Sequence, residues 1–477
     1  MTPPTLRTLV PAATALALSA CTSWMPPVQV DAAVPDTWHA PLPHQGSPEK
    51  LTQWWQQQGD PLLVELIDAA QAASPTVSAS LARVETARAQ QAAAFGALVP
   101  NVGAQVAASR GVSQPDLPVT TLRQSGLQAS WEIDLVGANR AVNRAARANV
   151  EGSQAQWHDA RVSVAAEVAN LYYGLANCNQ QLALAQRDAA SRQETARLSE
   201  ISAKVGFVAP SVAAMARASA ADGSSRVTQQ AAQCDIATKG LVALTAIPEP
   251  SLKQKLAVAP VKPAQGASIS IASVPAQTIA QRPDIFSAER DVMVASAQVG
   301  AAVAQRLPRL TLTGNIASTR MTTNGVDTDG TTWSFCPLAI NLPLFDGGQR
   351  AAAVQSAEAN YRAVVSAYRA KVRNAVREVE ESLVTLRSTQ DRAHDSQVST
   401  EGYAQTLAAT QTRYGQGLAS LVELEDARRN ALASESALLA LDLERNRAWV
   451  ALYRALGGGF EPQSLTEPAT AQTAAAN

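Results

Sequence analysis

Residues 334–344 read SFCPLAINLPL, and residues 345–348 follow as FDGG before a run from Gln349 to Arg413 that contains no proline. In the first part, Leu338, Ile340, Leu342 and Leu344 recur at every second position, the period of a strand with one apolar face. In the second, Val372, Val376, Val379, Leu383 and Leu386 are spaced 4, 3, 4, 3, the seam of a coiled coil. Unbroken, the 65 residues of the proline-free run would span about 95 Å at ~1.5 Å per residue. No globular domain needs such a helix, so the chain joins amphipathic strands to an extended helical structure.

The strand period recurs elsewhere. Leu310-Thr311-Leu312-Thr313-Gly314-Asn315-Ile316 alternates, and Leu127, Ala129, Trp131, Ile133 and Leu135 alternate with Gln128, Ser130, Glu132 and Asp134. Segments of about ten residues, apolar outward and polar inward, are the signature of a transmembrane β-barrel. Strands are predicted near 100–111, 122–136, 308–320 and 332–345, with Gly/Asp/Thr-rich turns such as Thr322–Thr332. The smallest outer-membrane barrels need about eight strands, and an open sheet in lipid leaves edge groups without partners. The chain is therefore expected to close its barrel by self-association, three copies giving twelve strands and twelve long helical passes.

The pattern is duplicated. RVETARAQQAAAFGALVP from Arg83 matches DVMVASAQVGAAVAQRLP from Asp291 at an offset of 208. DLVGANRA from Asp134 matches LFDGGQRA from Leu344 at 210, and GFVAPS from Gly206 matches GQGLAS from Gly415 at 209. Each half reads as helix, strand, strand, long helix, long helix, and Val162, Ala166, Ala169, Tyr173 and Ala176 repeat the coiled-coil seam in the first half. The expected organisation is a signal peptide at 1–20, an extended arm at 21–60, a first repeat at 61–250, an equatorial linker at 251–280, a second repeat at 281–460 and a tail at 461–477.

Composition supports an α+β membrane protein of this kind. Aromatic residues are 4% of the chain, and alanine dominates the 46% apolar fraction, which suits long helices packed through small side chains. A net charge of −1 lacks the basic footprint of a nucleic-acid partner. The sequence holds no Walker A motif, no HExxH and no CxxC. His39, His44, His158 and His394 are far apart and read as surface residues, so no enzyme activity, metal or cofactor is expected. Five Met without clustering argue against a soft-metal channel.

Leu9 to Ala20 is a short apolar stretch suited to an export signal. Leu18-Ser19-Ala20-Cys21 resembles a bacterial lipobox, which makes Cys21 an acylated N-terminus, and Thr22 stands where Asp would favour retention in the inner membrane. An outer-membrane lipoprotein of a Gram-negative cell, reaching into the periplasm, is expected. In that oxidising compartment two cysteines can bond. Cys178 and Cys234 are centred on residue 206, the turn between the two long helices of the first half, so an antiparallel hairpin sets them at the same height. A disulfide is predicted there, and Cys336, on a strand, is expected to stay free.

Several segments are similar to the TolC/OprM family of outer-membrane efflux channels, in its lipoprotein, NodT-like branch. They are Gln281-Arg282-Pro283-Asp284-Ile285, the junction Leu342-Pro343-Leu344-Phe345-Asp346-Gly347-Gly348, and Tyr453-Arg454-Ala455-Leu456-Gly457-Gly458-Gly459. The resemblance implies a trimer whose twelve-stranded β-barrel is continued by a twelve-helix periplasmic α-barrel. It implies a passive duct for drugs or toxic compounds, driven by an inner-membrane pump of the RND type through a periplasmic adaptor. A type I protein-secretion outlet is the alternative within the family; a periplasmic coiled-coil spacer without a pore is the alternative outside it. Arg282-Pro283-Asp284 reads as a structural helix start.

The resemblance also points to the pore's narrowest part. The long helices reverse at Gly206 to Ser211, with Pro210 inside the turn, and at Gly415 to Ser420, with Gly417 inside. These ends are the expected adaptor contacts. Val422, Asp426 and Arg429 match the constriction residues of OprM-like channels, and Glu423 an acidic position of TolC-like ones. Spacings of four and three put 422, 426 and 429 on one helix face. Ala419 stands where the TolC-like channels carry Arg, so a closing link of that style is not expected.

Overall fold

The structure, a computed structural model, describes residues 25–40, 54–112, 118–258 and 275–460. The export signal, Cys21 and His44 lie outside the described residues. In chain order the elements are α1 (Trp54–Gln57), α2 (Pro61–Ala73), α3 (Pro75–Gly96), β1 (Asn101–Gly111), β2 (Thr120–Ile133), α4 (Ala138–Lys204), α5 (Pro210–Thr245), α6 (Glu249–Val258), α7 (Pro275–Ala280), α8 (Pro283–Ala304), β3 (Arg309–Thr323), β4 (Val326–Asn341), α9 (Gln349–Gly415) and α10 (Leu421–Ala455). The chain divides into two compact units, one holding residues 81–154 and 286–371 with the arm up to 32, the other holding 33–80, 155–285 and everything from 372 on.

The duplication is preserved in helix length. Helices α3 and α8 have 22 residues each, and α4 and α9 have 67 each. The offset is 208 from α3/α8 through the ends of β2 and β4, then 211 from α4/α9 onward. The change comes at the strand-to-helix junctions: residues 134–137 make one, residues 342–348 the other.

In the first unit the strands form an antiparallel sheet in the order β1-β2-β3-β4. Leu127 stands opposite Ile316, and Trp131 opposite Leu312, so one face is apolar. The other carries Gln128, Asn315 and Ser334 in register, with the Ser334 hydroxyl donating to Asn315 Oδ1 at 2.9 Å. Several strand ends differ from expectation, and β4 stops at Asn341, which leaves Leu342 and Leu344 beyond the strand. The β3–β4 connection is a two-residue turn at Asn324-Gly325, both with positive φ, and not the longer loop Thr322–Thr332. Asn-Gly is the preferred pair for a turn whose twist matches its strands, so pairing runs on to Thr323–Val326 and β4 begins six residues early. β2 ends at Ile133 because the Asp134 carboxylate accepts the backbone N–H groups of Asn139 and Arg140 at the start of α4.

β4 contains a bulge. Leu312 pairs with Leu338 and Gly314 with Phe335, so Thr313 faces both Cys336 and Pro337. Cys336 takes φ +52, and Pro337, with no N–H to offer the ladder, sits where none is needed. The bulge keeps Trp333 and Phe335 on the apolar face with Leu338 and Ile340. Cys336 is exposed and is the free cysteine among the described residues. Among those residues no helix is long and apolar enough to cross a membrane.

The same unit holds the start of the arm. Ser296 Oγ donates to the Pro26 carbonyl at 2.5 Å and the Tyr361 hydroxyl to the Pro27 carbonyl at 2.7 Å. Met25 lies over Gly300, where a Cβ would come within 2.5 Å of its Cγ.

The second unit holds the main core. The arm is not extended throughout: Trp54 and Trp55 form α1 and are buried, and Trp54 stacks on Tyr453 with ring centroids 4.9 Å apart. Asp60 caps α2, accepting the N–H groups of Leu62 and Leu63 on Oδ1 and the Tyr172 hydroxyl on Oδ2 at 2.7 Å. Burial, and then the Asp60 carboxylate, push the Tyr172 phenol far above its ordinary range. Helix α6 occupies the start of the expected linker and buries Leu252 fully in the core. His39 and Ala40 donate their backbone N–H groups to the Glu380 carboxylate at 2.6 and 2.8 Å. His158 is half-buried rather than a plain surface residue. It lies between the rings of Trp157 and Phe460, and burial, with Arg161 nearby, lowers its pKa.

Two of the family-like segments meet here. Arg282 bonds the Asp284 carboxylate at 2.9 Å, the Glu378 carboxylate at 2.8 Å and the Ala455 carbonyl at 2.9 Å. Gly457, at φ +84, comes so close that a Cβ would meet the Gln281 carbonyl oxygen at 2.5 Å. Arg282 thus ties the start of α8 to α9 and to the end of α10, a structural role.

Candidate aperture at the hairpin ends

The ends of the two helical hairpins, α4–α5 and α9–α10, lie in the second unit. Both reverse in the same way. Phe207 N–H bonds the Ser202 carbonyl at 2.9 Å and Leu418 N–H the Arg413 carbonyl at 2.8 Å, each closing over a glycine with positive φ. Those glycines are Gly206 and Gly417; Gly415 is still helical. The hairpin ends therefore correspond at an offset of 211, two more than the 209 of the sequence match. Ser420 corresponds to Ala209 and not to Ser211, which lies inside α5 after Pro210 at its first turn.

That shift explains a difference between the two helix starts. Ala209 offers no side-chain cap to α5. Ser420 Oγ accepts the Glu423 N–H at 3.2 Å, and a Glu423 carboxylate oxygen accepts the Ser420 N–H at 2.6 Å, a reciprocal capping box. The Ser420 backbone and hydroxyl, with Arg413 nearby, hold the Glu423 carboxyl below the usual range. Its carboxylate thus serves the helix start, while Val422, Asp426 and Arg429 are exposed together on one face of α10. Asp426 and Arg429 form an ion pair with each other. At offset 211 the first hairpin carries Ser211, Met215 and Ala218 at these positions, so the charged set belongs to α10 alone.

Exposed apolar side chains mark both ends: Val205 and Phe207 on the first, Leu418 on the second. Behind them is a small core of Ala196, Ala216, Leu421 and Leu424. Further along the first hairpin a disulfide joins Cys178 and Cys234, with Cα atoms 5.5 Å apart.

Sequence reasoning missed a buried charged cluster beside the exposed face of α10. Glu425 bonds Arg192, Ser219 and Arg428, Arg192 also bonds Asp188, and Arg428 reaches Ser191 and Thr195. The partners lie up to 237 residues apart in sequence, and only the spacing of three from Glu425 to Arg428 was visible there.

The description "Outer membrane efflux protein" belongs to the family whose sequence pattern matches residues 66–246 and 274–458. Nodulation protein T of Rhizobium leguminosarum bv. viciae is 24% identical over 92% of this chain and 93% of its own. Outer membrane protein OprJ of Pseudomonas aeruginosa is 29% identical over 94% of this chain and 95% of its own. The crystal structure of the Campylobacter jejuni CmeC outer membrane channel superposes with a TM-score of 0.82 over 94% of this chain and 96% of that one, at 23% identity, a likeness of fold.

Proposed function

Because this chain belongs to the outer membrane efflux protein family, and so is an outer-membrane efflux channel reaching into the periplasm, we propose that three copies close one pore whose periplasmic end is narrowed by Val422, Asp426 and Arg429. The exposed face carrying these three residues on α10 is the observation that supports the reading. With threefold symmetry it would set a ring of alternating carboxylates and guanidiniums around the axis. Such a ring restrains the helices by ion pairs, and its equal numbers of carboxylates and guanidiniums leave it without net charge. Both edges of the four-stranded sheet, β1 and β4, are open in a single chain, which supports closure between copies.

The hairpin ends, with Gly206, Pro210 and Ser211 on one and Gly415, Gly417 and Ser420 on the other, are the proposed contact for a periplasmic adaptor. Exposed Val205, Phe207 and Leu418 give that contact an apolar centre. The pump behind the adaptor is proposed to be of the RND type, with small toxic compounds as cargo. Cys21 is proposed to carry the lipid. Metabolic labelling with a palmitate analogue checks it: label that persists in Cys21→Ser overturns the assignment.

The aperture is tested by the double variant Asp426→Ala with Arg429→Ala in planar bilayers and in cells. Resting conductance and vancomycin sensitivity should both rise. Unchanged conductance at normal trimer levels would move the constriction elsewhere.

A further inference from the structure

The charged cluster under the aperture face has a geometry that a simple stability role does not require. Glu425, on α10, is bonded from three helices at once. Arg192 of α4 contacts one carboxylate oxygen, Ser219 of α5 donates to that same oxygen at 2.9 Å, and Arg428 of α10 donates to the other at 2.9 Å. Arg428 continues back to α4, donating to Thr195 Oγ1 at 2.7 Å and to Ser191 Oγ at 2.9 Å. Arg192 Nε donates to Asp188 at 2.9 Å. The charges are withdrawn from water: the side chains of Arg192, Asp188, Glu425 and Arg428 are 7%, 9%, 14% and 4% exposed. Buried ion pairs carry a desolvation cost that can offset most of their attraction, and their best-attested use is to fix one arrangement among several.

What this cluster fixes follows from helix geometry. At ~100° per residue, Glu425 and Arg428 lie about a quarter turn round α10 from the face carrying Val422, Asp426 and Arg429. Leu421 and Leu424, in the small core of the hairpin ends, lie on the cluster's side of the helix. Apolar contacts such as these can slide or rotate at little cost, whereas a carboxylate held by two guanidiniums and a hydroxyl has one setting. A backbone detail serves the same end. Gly223 of α5 lies under Arg192, where a Cβ would stand 3.1 Å from Cδ and 3.3 Å from the Ala189 Cα, so this glycine lets Arg192 pass between α4 and α5 to reach α10.

We propose that Arg192, Glu425 and Arg428 are positioning residues of the channel's aperture: a buried three-helix clasp that sets the rotation of α10 on the first hairpin and so aims the Val422, Asp426 and Arg429 face. The inference rests on the aperture reading above. The clasp residues themselves do not line the pore. They act through α10, and the exposed Asp426–Arg429 pair keeps its chemistry when the clasp is broken.

The test measures resting single-channel conductance of purified trimers carrying Glu425→Gln, Arg428→Met, both together, or Gly223→Ala, beside Asp426→Ala with Arg429→Ala. Each clasp substitution should raise resting conductance several-fold at unchanged trimer yield. The combined variant should rise no further than its stronger parent, because both act through one network. Gly223→Ala keeps every charge but presses on Arg192 Cδ and on the Ala189 backbone, so it should move conductance in the same direction by less. It also carries the test if a charge substitution prevents assembly. Unchanged conductance in every assembled clasp variant, with a rise in the Asp426/Arg429 variant, overturns the clasp alone. Silence in both sets overturns the aperture reading and the clasp with it. Additive effects of Glu425→Gln and Arg428→Met also overturn it, since they would show two separate contacts.

Discussion

Ser420 and Glu423 illustrate how one residue can be assigned two roles. By resemblance Glu423 is an acid of the constriction; by geometry its carboxylate is engaged at the helix start. The box Ser420-Leu421-Val422-Glu423 is itself readable, serine followed three residues on by glutamate before an apolar residue. Ser420→Ala should cost about 0.5–2 kcal/mol of local helix stability. Hydrogen–deuterium exchange should show it as faster exchange confined to residues 421–424. The pH dependence has a definite sign. Glu423 is held below its usual range when folded, so its contribution is present above the ordinary glutamate pKa and is lost as pH falls through the lowered value. Exchange at 421–424 should therefore quicken on acidification, beyond the intrinsic chemistry, in the native chain but not in Glu423→Ala. The clasp was hidden for the opposite reason. Arg192, Ser219 and Glu425 are polar residues on three long helices, and only their packing distinguishes them from solvated charges.

At the scale of elements, the long helices and the duplication were legible because their signals are periodic over dozens of residues. The helix starting at Gln349 and the seam through Val379 and Leu383 follow from spacing alone, and both those residues are buried. Strand ends were less legible because a turn is decided by two residues. Asn324-Gly325 outweighed the Thr- and Asp-rich composition around it, and the strand absorbed Asp327 and Asp329. Gly325 takes φ +79, so Gly325→Val should strain that turn and lower the yield of folded sheet, read as loss of heat-resistant trimer on gels. The Cys178–Cys234 position was legible because a hairpin's symmetry sets two residues at one height. Its bond closes a loop of 56 residues, and Cys178→Ser with Cys234→Ser should cost about 2–4 kcal/mol, seen as a lower thermal midpoint that reductant no longer changes.

At the scale of the whole molecule the prediction concerns closure. A lone chain leaves the outer edges of β1 and β4 unpaired, and lipid cannot satisfy them. Native mass spectrometry in detergent should give a trimer as the main species. Single cysteines placed near the middle of β1 and of β4, at Val106 and Thr331, should crosslink between chains and not within one, since β2 and β3 lie between these strands. A predominant monomer or dimer would contradict closure by three. The trimer could be anticipated from sequence by counting strands, whereas the identity of cargo and pump could not, because neither leaves a periodic trace in this chain.

The change of offset from 208 to 211 also records where the duplicated gene tolerated a change in length. Three residues inserted inside either 67-residue helix would turn every later side chain by about 300°, away from its seam. An odd number inside a strand would exchange its lipid and lumen faces unless a bulge absorbed it. The junction at 342–348 has neither constraint, and that is where the copies diverged in length. Descendants of such a duplication should therefore accumulate insertions and deletions at the strand-to-helix junctions and at the sheet turns, while the lengths of the 22- and 67-residue helices stay frozen in both copies.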